Sequence, residues 1–279
     1  MLHIVWDPEL GIKIGSFVFR YYSLMFIFSF FLGWSIIKFI FNREKIDIKY
    51  LEPLLTHMFF AVLIGARLGH VFFYQPELFK DDFFSVFLPF EFKPEIKFTG
   101  FQGLASHGAI FGIPISLYIF KIRSKFPYSL IWLIDRMIIV IALGCAFIRL
   151  GNFFNSEIIG KPFDGSWAVL FLQQSKDYGE IAPRHPSQLY ESIGYLIVFL
   201  VISFLFFKTE LKKQEGKIFS IGLILLLLVR LLVEFTKEPQ GEEMISAFGL
   251  NSGQILSIPP LVFCVYLLFR NNSSKNLNS

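Results

Sequence analysis

Apolar residues in this chain are gathered into long runs instead of alternating with polar ones. Seven runs stand out, at 23–41, about 54–74, 103–122, about 130–152, 189–207, 218–235 and 253–269. A helix that crosses the hydrocarbon core of a bilayer needs about 20 mostly apolar residues. The pattern therefore predicts an all-α polytopic membrane protein of about seven transmembrane helices. No repeat period is visible, so residues 1–279 read as one integral-membrane domain. Residues 1–15 lack the basic start and apolar core of a cleavable signal peptide, which leaves 23–41 as a genuine span. The Pro259–Pro260 pair predicts a kink in the last helix, since membrane helices tolerate proline where neighbours satisfy the freed carbonyls.

Lysine and arginine in the short connecting segments give the orientation. Arg43, Lys45 and Lys49 lie between the first and second runs, and Lys121, Arg123 and Lys125 between the third and fourth. Lys208, Lys212, Lys213 and Lys217 lie between the fifth and sixth, and Arg270 and Lys275 follow the seventh. The other connections are thinner in basic charge. This places the C-terminus in the cytoplasm and the N-terminus outside. The outer face then carries two long segments, about 75–102 and 153–188, whose length suggests more than connection. Residues 83–92 are aromatic and uncharged until Glu91. They read equally as an interfacial amphipathic element or as a packed loop.

Composition narrows the class further. Hydrophobic residues make up 54 % of the 279 and charged residues 17 %, with a mean hydropathy of +0.58. An ordinary soluble chain carries about a quarter of its residues as charges. The 37 phenylalanines suit lipid-facing and packed helix surfaces. A net charge of +4 is topological charge rather than a nucleic-acid footprint, so no nucleic-acid partner is expected. Cys145 and Cys264 sit inside apolar runs and imply no disulfide framework.

Charges inside a span are costly and mark function or pairing. Arg67 and His70 are three apart on one helix face, beside a Gly65/Gly69 pair that permits close helix contact. Arg149 and Asn152 share a face in the same way. Arg230 and Glu234 are four apart and are placed to pair within their helix. Asp135 next to Arg136 reads as a structural pair. Arginine presents a rigid, permanently charged fork suited to phosphate. Arg67, Arg149 and Arg230 therefore point to a phosphorylated or carboxylated ligand, of which a phospholipid headgroup is the most available. The competing reading is a set of interhelical salt bridges to Asp135, Glu157, Glu191 and Glu234.

His107 lies among small residues at the start of the third run, and a histidine can take a proton near neutral pH. His185 precedes the fifth run in His185-Pro186-Ser187-Gln188-Leu189-Tyr190-Glu191. There Ser187 is a candidate helix cap, and Gln188 or Glu191 is placed to face inward. No metal-ligand spacing, HExxH, GxSxG or P-loop occurs, so neither a metal nor another cofactor is expected.

Together these segments resemble one family, the prolipoprotein diacylglyceryl transferases. Residues 149–160, RLGNFFNSEIIG, match its R-[LI]-G-N-F-x-N-x-E-x-x-G pattern, and Arg20-Tyr21-Tyr22-Ser23-Leu24-Met25 resembles the opening of its first helix. Gly65-Ala66-Arg67-Leu68-Gly69-His70, Ser106-His107-Gly108, the HPSQLYE of 185–191, Arg230-Leu231-Leu232-Val233-Glu234-Phe235 and Ser252-Gly253-Gln254-Ile255-Leu256-Ser257 follow in the family's order. Three positions depart: Ala109 replaces a common second glycine, Leu226 stands where some members carry tyrosine, and Lys237-Glu238-Pro239 replaces R-x-P.

The resemblance implies a bacterial inner-membrane enzyme that works on the outer, periplasmic side. It would transfer the diacylglyceryl group of phosphatidylglycerol to the lipobox cysteine thiol of a preprolipoprotein. A thioether would form and glycerol 1-phosphate would leave, in the first step of lipoprotein maturation. The implied partners are phosphatidylglycerol, lipobox signal peptides and membrane lipid. The nucleophile then belongs to the substrate, which accounts for the missing nucleophilic motif.

Among site residues, His107 would act as base, and Arg149 and Arg230 would hold phosphate and stabilise the leaving group. Asn152, Asn155 and Glu157 would fix the headgroup or Arg149. Tyr22 would hydrogen-bond lipid or phosphate, and Gly160 would shape the outer loop. Arg67, Gln188, Tyr190, Glu191 and Glu234 would stand behind these. Two other classes account for the arginines. A transporter for an anionic solute predicts broken helices and often an internal repeat. A lipid-binding scaffold gives no reason for His107.

Overall fold

The computed structural model describes residues 3–9, 11–15, 17–88, 90–92, 95–98, 103, 106–238 and 252–269. It describes their side chains except at 17, 98, 106, 107 and 252–256. In chain order the elements are β1 (Ile4–Trp6), β2 (Gly11–Ile14), β3 (Phe17–Arg20), α1 (Tyr21–Arg43), α2 (Leu51–Tyr74), α3 (Leu78–Asp81) and α4 (Phe83–Phe87). Then come β4 (Phe90–Glu91), β5 (Lys97–Phe98), α5 (Ser106–Arg123), α6 (Leu130–Phe154), β6 (Val169–Phe171), β7 (Pro183–Arg184), α7 (Ser187–Lys208), α8 (Lys217–Glu234) and α9 (Ser252–Phe269).

The protein is mostly helical, and each of the seven apolar runs is a helix. Four helical segments, Tyr21–Arg43, Ile48–Tyr74, Leu130–Phe154 and Ser187–Lys208, are long and apolar enough to cross a membrane. The helix α9 runs through Pro259 and Pro260. The short strands are additions to the all-helical expectation. They lie in connecting segments, where two to four residues give too little period-2 pattern to be noticed.

Three helices stop in the same way. After α1, α5 and α6 the residues Lys45, Lys125 and Ser156 take φ of 57°, 48° and 54°. At each, the chain folds back so that two N–H groups satisfy carbonyls of the last turn, as in Phe126 N to Lys121 O at 3.0 Å. This is the Schellman arrangement, normally completed by glycine. Non-glycine residues carry it here at some strain.

Two compact units divide the chain. One comprises Lys38–Leu133. Its α2 and α5 approach through small residues: a Cβ on Gly65 would lie 2.8 Å from the Gly108 carbonyl, and one on Gly112 2.7 Å from that of Ala61. The Gly65/Gly69 reading therefore finds its partner in α5, where backbone meets backbone. Ser116 Oγ donates to the His57 carbonyl at 2.9 Å across the same pair. Buried Phe41, Phe120 and Phe126 close one end, with ring centroids 5.4 Å apart for Phe120 and Phe126.

The other unit comprises Met1–Ile37 with Ile134–Ser279. It holds a three-stranded sheet of order β1-β6-β7, with β1 parallel to β6 in the register Ile4↔Val169. Over it, Phe153, Ile159, Val169 and Phe171 form a small core with Trp6, Tyr178 and Leu189. Trp6 Nε1 donates to the Phe153 carbonyl at 3.0 Å, which ties the N-terminal strand to the end of α6. The hairpin β2–β3 leads directly into α1.

Asp135 and Arg136 do separate structural work. Asp135 is fully buried, and its carboxylate accepts from Gly216 N at 2.7 Å and Phe219 N at 2.8 Å. Gly216 is the cap residue of α8 and supplies no side-chain cap of its own. The carboxylate from α6 thus satisfies N–H groups that a helix start leaves open, where the helix dipole also favours negative charge. Arg136 instead lies over the Phe206 ring, 5.2 Å from its centroid. Replacing Asp135 with Ala should cost about 1–2 kcal/mol, the usual worth of a helix cap, and Asp135→Asn should cost less. Thermal unfolding of the two variants checks this: equal midpoints would remove the capping role.

Candidate active site

The run 149–160 begins in the last two turns of α6 and continues into the fold-back at Ser156. Ser156 N bonds Phe153 O at 3.1 Å and Glu157 N bonds Asn152 O at 3.0 Å. That geometry carries the Glu157 carboxylate back over the helix end. There it accepts from Asn152 Nδ2 at 3.0 Å and Asn155 Nδ2 at 3.1 Å. Asn152 Oδ1 in turn accepts from Arg149 at 3.3 Å. The spacing R-x-x-N-x-x-N-x-E is thus one hydrogen-bonded chain across a helix terminus.

Arg149 also faces α7. Its Nε lies 2.7 Å from Glu191 Oε2, with the arginine side chain 11 % exposed and the carboxylate 0 %. The other Glu191 oxygen accepts from Lys237 Nζ at 2.9 Å and from the Tyr195 hydroxyl at 3.2 Å. Lys237 reaches Glu234 Oε2 as well, at 3.2 Å. One buried carboxylate is therefore shared by two cations, and Arg230 of α8 lies within electrostatic reach of it.

Lys237 is placed by backbone pairing. Gly160 and Lys237 form an isolated antiparallel bridge, Lys161 N donates to Thr236 O at 2.8 Å, and Glu238 N donates to Ile159 O at 3.2 Å. Gly160 permits this because a Cβ there would lie 2.5 Å from the His185 carbonyl and 2.6 Å from Ser187 Oγ. Its φ is not positive, so what requires a glycine here is this close approach and not a left-handed backbone.

The predicted residues fall into distinct places. Gln188 is fully buried and donates to the Glu157 carbonyl at 2.6 Å, which holds the fold-back from α7. Tyr22 packs on Gly151 and lies within electrostatic reach of Glu157 and Arg149. Tyr190 turns away from this cluster: its hydroxyl accepts from Trp167 Nε1 at 2.7 Å and lies 3.1 Å from His185 Nδ1. His185 stacks on Phe163 at 3.9 Å, and its partial burial lowers the imidazole pKa below the usual value.

Arg67, in the other unit, spends its guanidinium on the carbonyls of Ser85 and Val86. His70 lies against Gly103 and Tyr74. His107 sits in the first turn of α5, and its side chain lies outside the described residues.

Two expectations are corrected. Glu234 pairs with Lys237 and not with Arg230, because the turn after α8 brings the lysine back onto the helix end. Ser187 does not cap α7, because Pro186 occupies that position and the serine hydroxyl points back to the His185 carbonyl at 3.4 Å.

Sequence reasoning missed three participants. Lys237 registered only as a departure, Tyr195 as part of an apolar run, and buried Arg184 not at all. Arg184 bonds Gly160 O at 3.2 Å, Tyr178 O at 2.6 Å and Glu238 at 2.7 Å, locking the loop on which Lys237 rests. The one available signal for Lys237 was a lone cation three residues beyond Glu234.

Comparison with known proteins bears on this cluster. Residues 9–270 match the family model described as prolipoprotein diacylglyceryl transferase. A phosphatidylglycerol–prolipoprotein diacylglyceryl transferase from Bacteroides fragilis is 39% identical over 281 residues, covering 99% of this chain and 98% of the relative. Proteins of the same name from Chloroherpeton thalassium and Porphyromonas gingivalis are 36% and 34% identical, each covering 96% of this chain and 94% of its own length.

Removing Lys237 should cost less than breaking an isolated buried ion pair, about 3–5 kcal/mol, because Arg149 still compensates Glu191. The loss of one charged hydrogen bond, about 1.5–3 kcal/mol, is expected for Lys237→Met, and Lys237→Arg should recover most of it. Glu191→Leu leaves two buried cations and should be the most damaging of the three. Thermal unfolding of the purified variants checks the order, and a Lys237→Met midpoint equal to that of the parent would discount the shared carboxylate.

Proposed function

The chain belongs to the prolipoprotein diacylglyceryl transferase family, and we propose from this that it transfers the diacylglyceryl group of phosphatidylglycerol to a prolipoprotein, the first step of lipoprotein maturation. The acceptor is the lipobox cysteine thiol of the preprolipoprotein signal peptide. Sulfur attacks the glyceryl carbon that bears the phosphate ester, a C–S bond forms, and the C–O bond to phosphate breaks. The bonding pair leaves on the phosphate oxygen, and the product is glycerol 1-phosphate. The thiol proton passes to a base.

The observation that carries this reading is the open arginine beside Glu191. Arg149 and Lys237 are held by Glu191 and Glu234, whereas among the described residues the Arg230 guanidinium makes no hydrogen bond or ion pair. A guanidinium without such a partner among apolar helices suits an anionic ligand, and a phosphodiester supplies one. Arg230 is its main contact. Arg149, held at Nε by Glu191 and on its outer edge by Asn152, stands pre-oriented beside it, so little reorganisation is needed as charge develops on the leaving phosphate. Glu157 and Asn155 hold Asn152, Tyr22 donates to the lipid phosphate, and Gly160, Gln188 and Glu234 keep the loop and the charge balance in place.

His107 is the proposed base. A free thiol has a pKa near ~8.5, and only the thiolate is nucleophilic. The remaining assignments follow the same reading. The chain is one domain of seven transmembrane helices in the bacterial inner membrane, with N-terminus outside, C-terminus in the cytoplasm and segments 75–102 and 153–188 at the outer, catalytic face. The reaction uses no cofactor.

Purified full-length protein incubated with phosphatidylglycerol and a lipobox peptide should add a diacylglyceryl mass to the peptide cysteine and release glycerol phosphate. Failure of the parent protein to do so overturns the assignment. Arg149→Ala and Arg230→Ala should each lower turnover by about 10²–10³-fold, the usual effect of losing one charge-stabilising donor, with helical circular dichroism unchanged. Transfer at the parental rate by Arg230→Ala would remove its phosphate role. His107→Gln should slow transfer and flatten its rise with pH, and an unaltered pH profile would leave the base elsewhere.

A further inference from the structure

The element α4 inverts the usual logic of a short surface helix. Its five residues are too few to persist alone, since the first helical turn is costly to nucleate. What holds it is a buried charge. Arg67, on α2 and 9 % exposed, donates from Nε to the Val86 carbonyl at 3.2 Å and from its terminal nitrogen to the Ser85 carbonyl at 2.7 Å. These are carbonyls that a helix C-terminus leaves without intrahelical partners, at the end where a cation is favoured. At the other end Asp82, also buried, accepts from the Ser85 hydroxyl and from Phe92 N.

So Ser85 and Val86 are buried by polar anchoring, while the large apolar side chains face outward. Phe83 is 53 % exposed, Phe84 63 % and Phe87 47 %. Their rings touch one another, with centroids 5.5 Å apart for Phe83 and Phe87. No charged residue lies between Asp82 and Glu91. Phe72, Phe73 and Tyr74, at the C-terminal end of α2, are exposed as well, on a helix of membrane-crossing length and hydropathy. Aromatic side chains collect where a spanning helix meets the membrane interface, and touching, exposed apolar side chains such as the three of α4 mark a contact site.

We propose that α4 is a lipid-inserting anchor. Its three phenylalanines enter the leaflet reached by the C-terminal end of α2, and Arg67 is the positioning residue that aims them. The partner is the acyl-chain region of the bilayer. The assignment depends on the chain being a membrane protein and is independent of any transfer chemistry.

The test is a depth measurement on the full-length protein in phospholipid nanodiscs. Phe84→Cys and Phe87→Cys are introduced singly in a Cys145→Ala, Cys264→Ala background and spin-labelled, with Glu77→Cys as an exposed reference. Labels at 84 and 87 should collide more often with lipid-soluble oxygen than with a water-soluble nickel chelate, and the label at 77 should do the reverse. Nickel preference at 84 and 87 would make α4 a solvent loop. Low collision rates with both reagents would mean that protein covers it. Either result overturns the proposal. Adding Arg67→Gln should move the ratio at 84 toward that at 77, and Asp82→Asn loosens the element from its other end should Arg67→Gln not fold. An unchanged ratio in a folded variant removes the positioning role. None of these readings requires turnover, so they stand or fall apart from the transfer assay.

Discussion

The Glu191 carboxylate is the group on which the candidate site depends. Placed alone in a low-dielectric interior, it would cost several kcal/mol in lost hydration. It is tolerated because Arg149 and Lys237 each take one oxygen, with Tyr195 donating to the oxygen that Lys237 uses. That requirement binds three stretches of chain that no local interaction would bring together: the end of α6, the first turns of α7 and the segment following α8. The position of each cation is then a consequence of where the anion sits. Arg149 has one edge fixed by Glu191 and the other by Asn152, so its plane is set before any ligand arrives. Arg230, four residues before Glu234, has no such fixture among the described residues. The difference between a held and an open arginine gives the cluster its direction.

The loop that delivers Glu157 is built at some conformational cost. Ser156 and Ile158 both have positive φ, 54° and 57°. The first completes a helix terminus, as Lys45 and Lys125 do elsewhere. The second is different, since a β-branched residue in the left-handed region is a true outlier. Such strain persists only where surrounding structure over-determines it, and it clusters at functional sites. Here Gln188 holds the Glu157 carbonyl, Ile159 is buried in the small core and Gly160 is pressed against His185. The loop is clamped on both sides of Ile158, and its strain has somewhere to be stored.

The helices were legible in the sequence because the signal for a buried or lipid-facing helix is local and long. Each of the seven runs is helical, with ends shifted by only a few residues. The small sheet was not legible. Its defining pair joins residues 4–6 to 169–171 in parallel register, and nothing within either segment announces the other. Site residues divided along the same line. Arg149 and Asn152 are near in sequence, and their spacing suggested a shared face, while Asn155 and Glu157 entered through the family resemblance of the 149–160 run. Lys237 joins the site through Glu191, 46 residues away, and Arg184 holds the loop through Gly160, 24 residues away, so the first looked like a family departure and the second drew no notice. The Arg230–Glu234 pairing failed for a related reason: helical spacing permits a contact, but a closer cation on a returning turn takes the partner.

Charge counting inside the cluster bears on how the proposed chemistry proceeds. Arg149, Lys237 and Arg230 stand against Glu191, Glu234 and Glu157, which Asn152 links to Arg149, so the cluster carries no fixed excess of charge. In the proposed reaction the phosphodiester of phosphatidylglycerol brings one negative charge, and the departing phosphate gains a second as the C–O bond breaks. What the cluster would offer is therefore placement, an open Arg230 beside a held Arg149, and not a surplus of charge. The thiol proton released at the start would offset the second negative charge, provided a group able to take it near neutral pH passes it on to the phosphate. A histidine meets that condition, whereas a tyrosine, with a pKa near ~10, is already protonated near neutral pH and has no free base form to take the thiol proton.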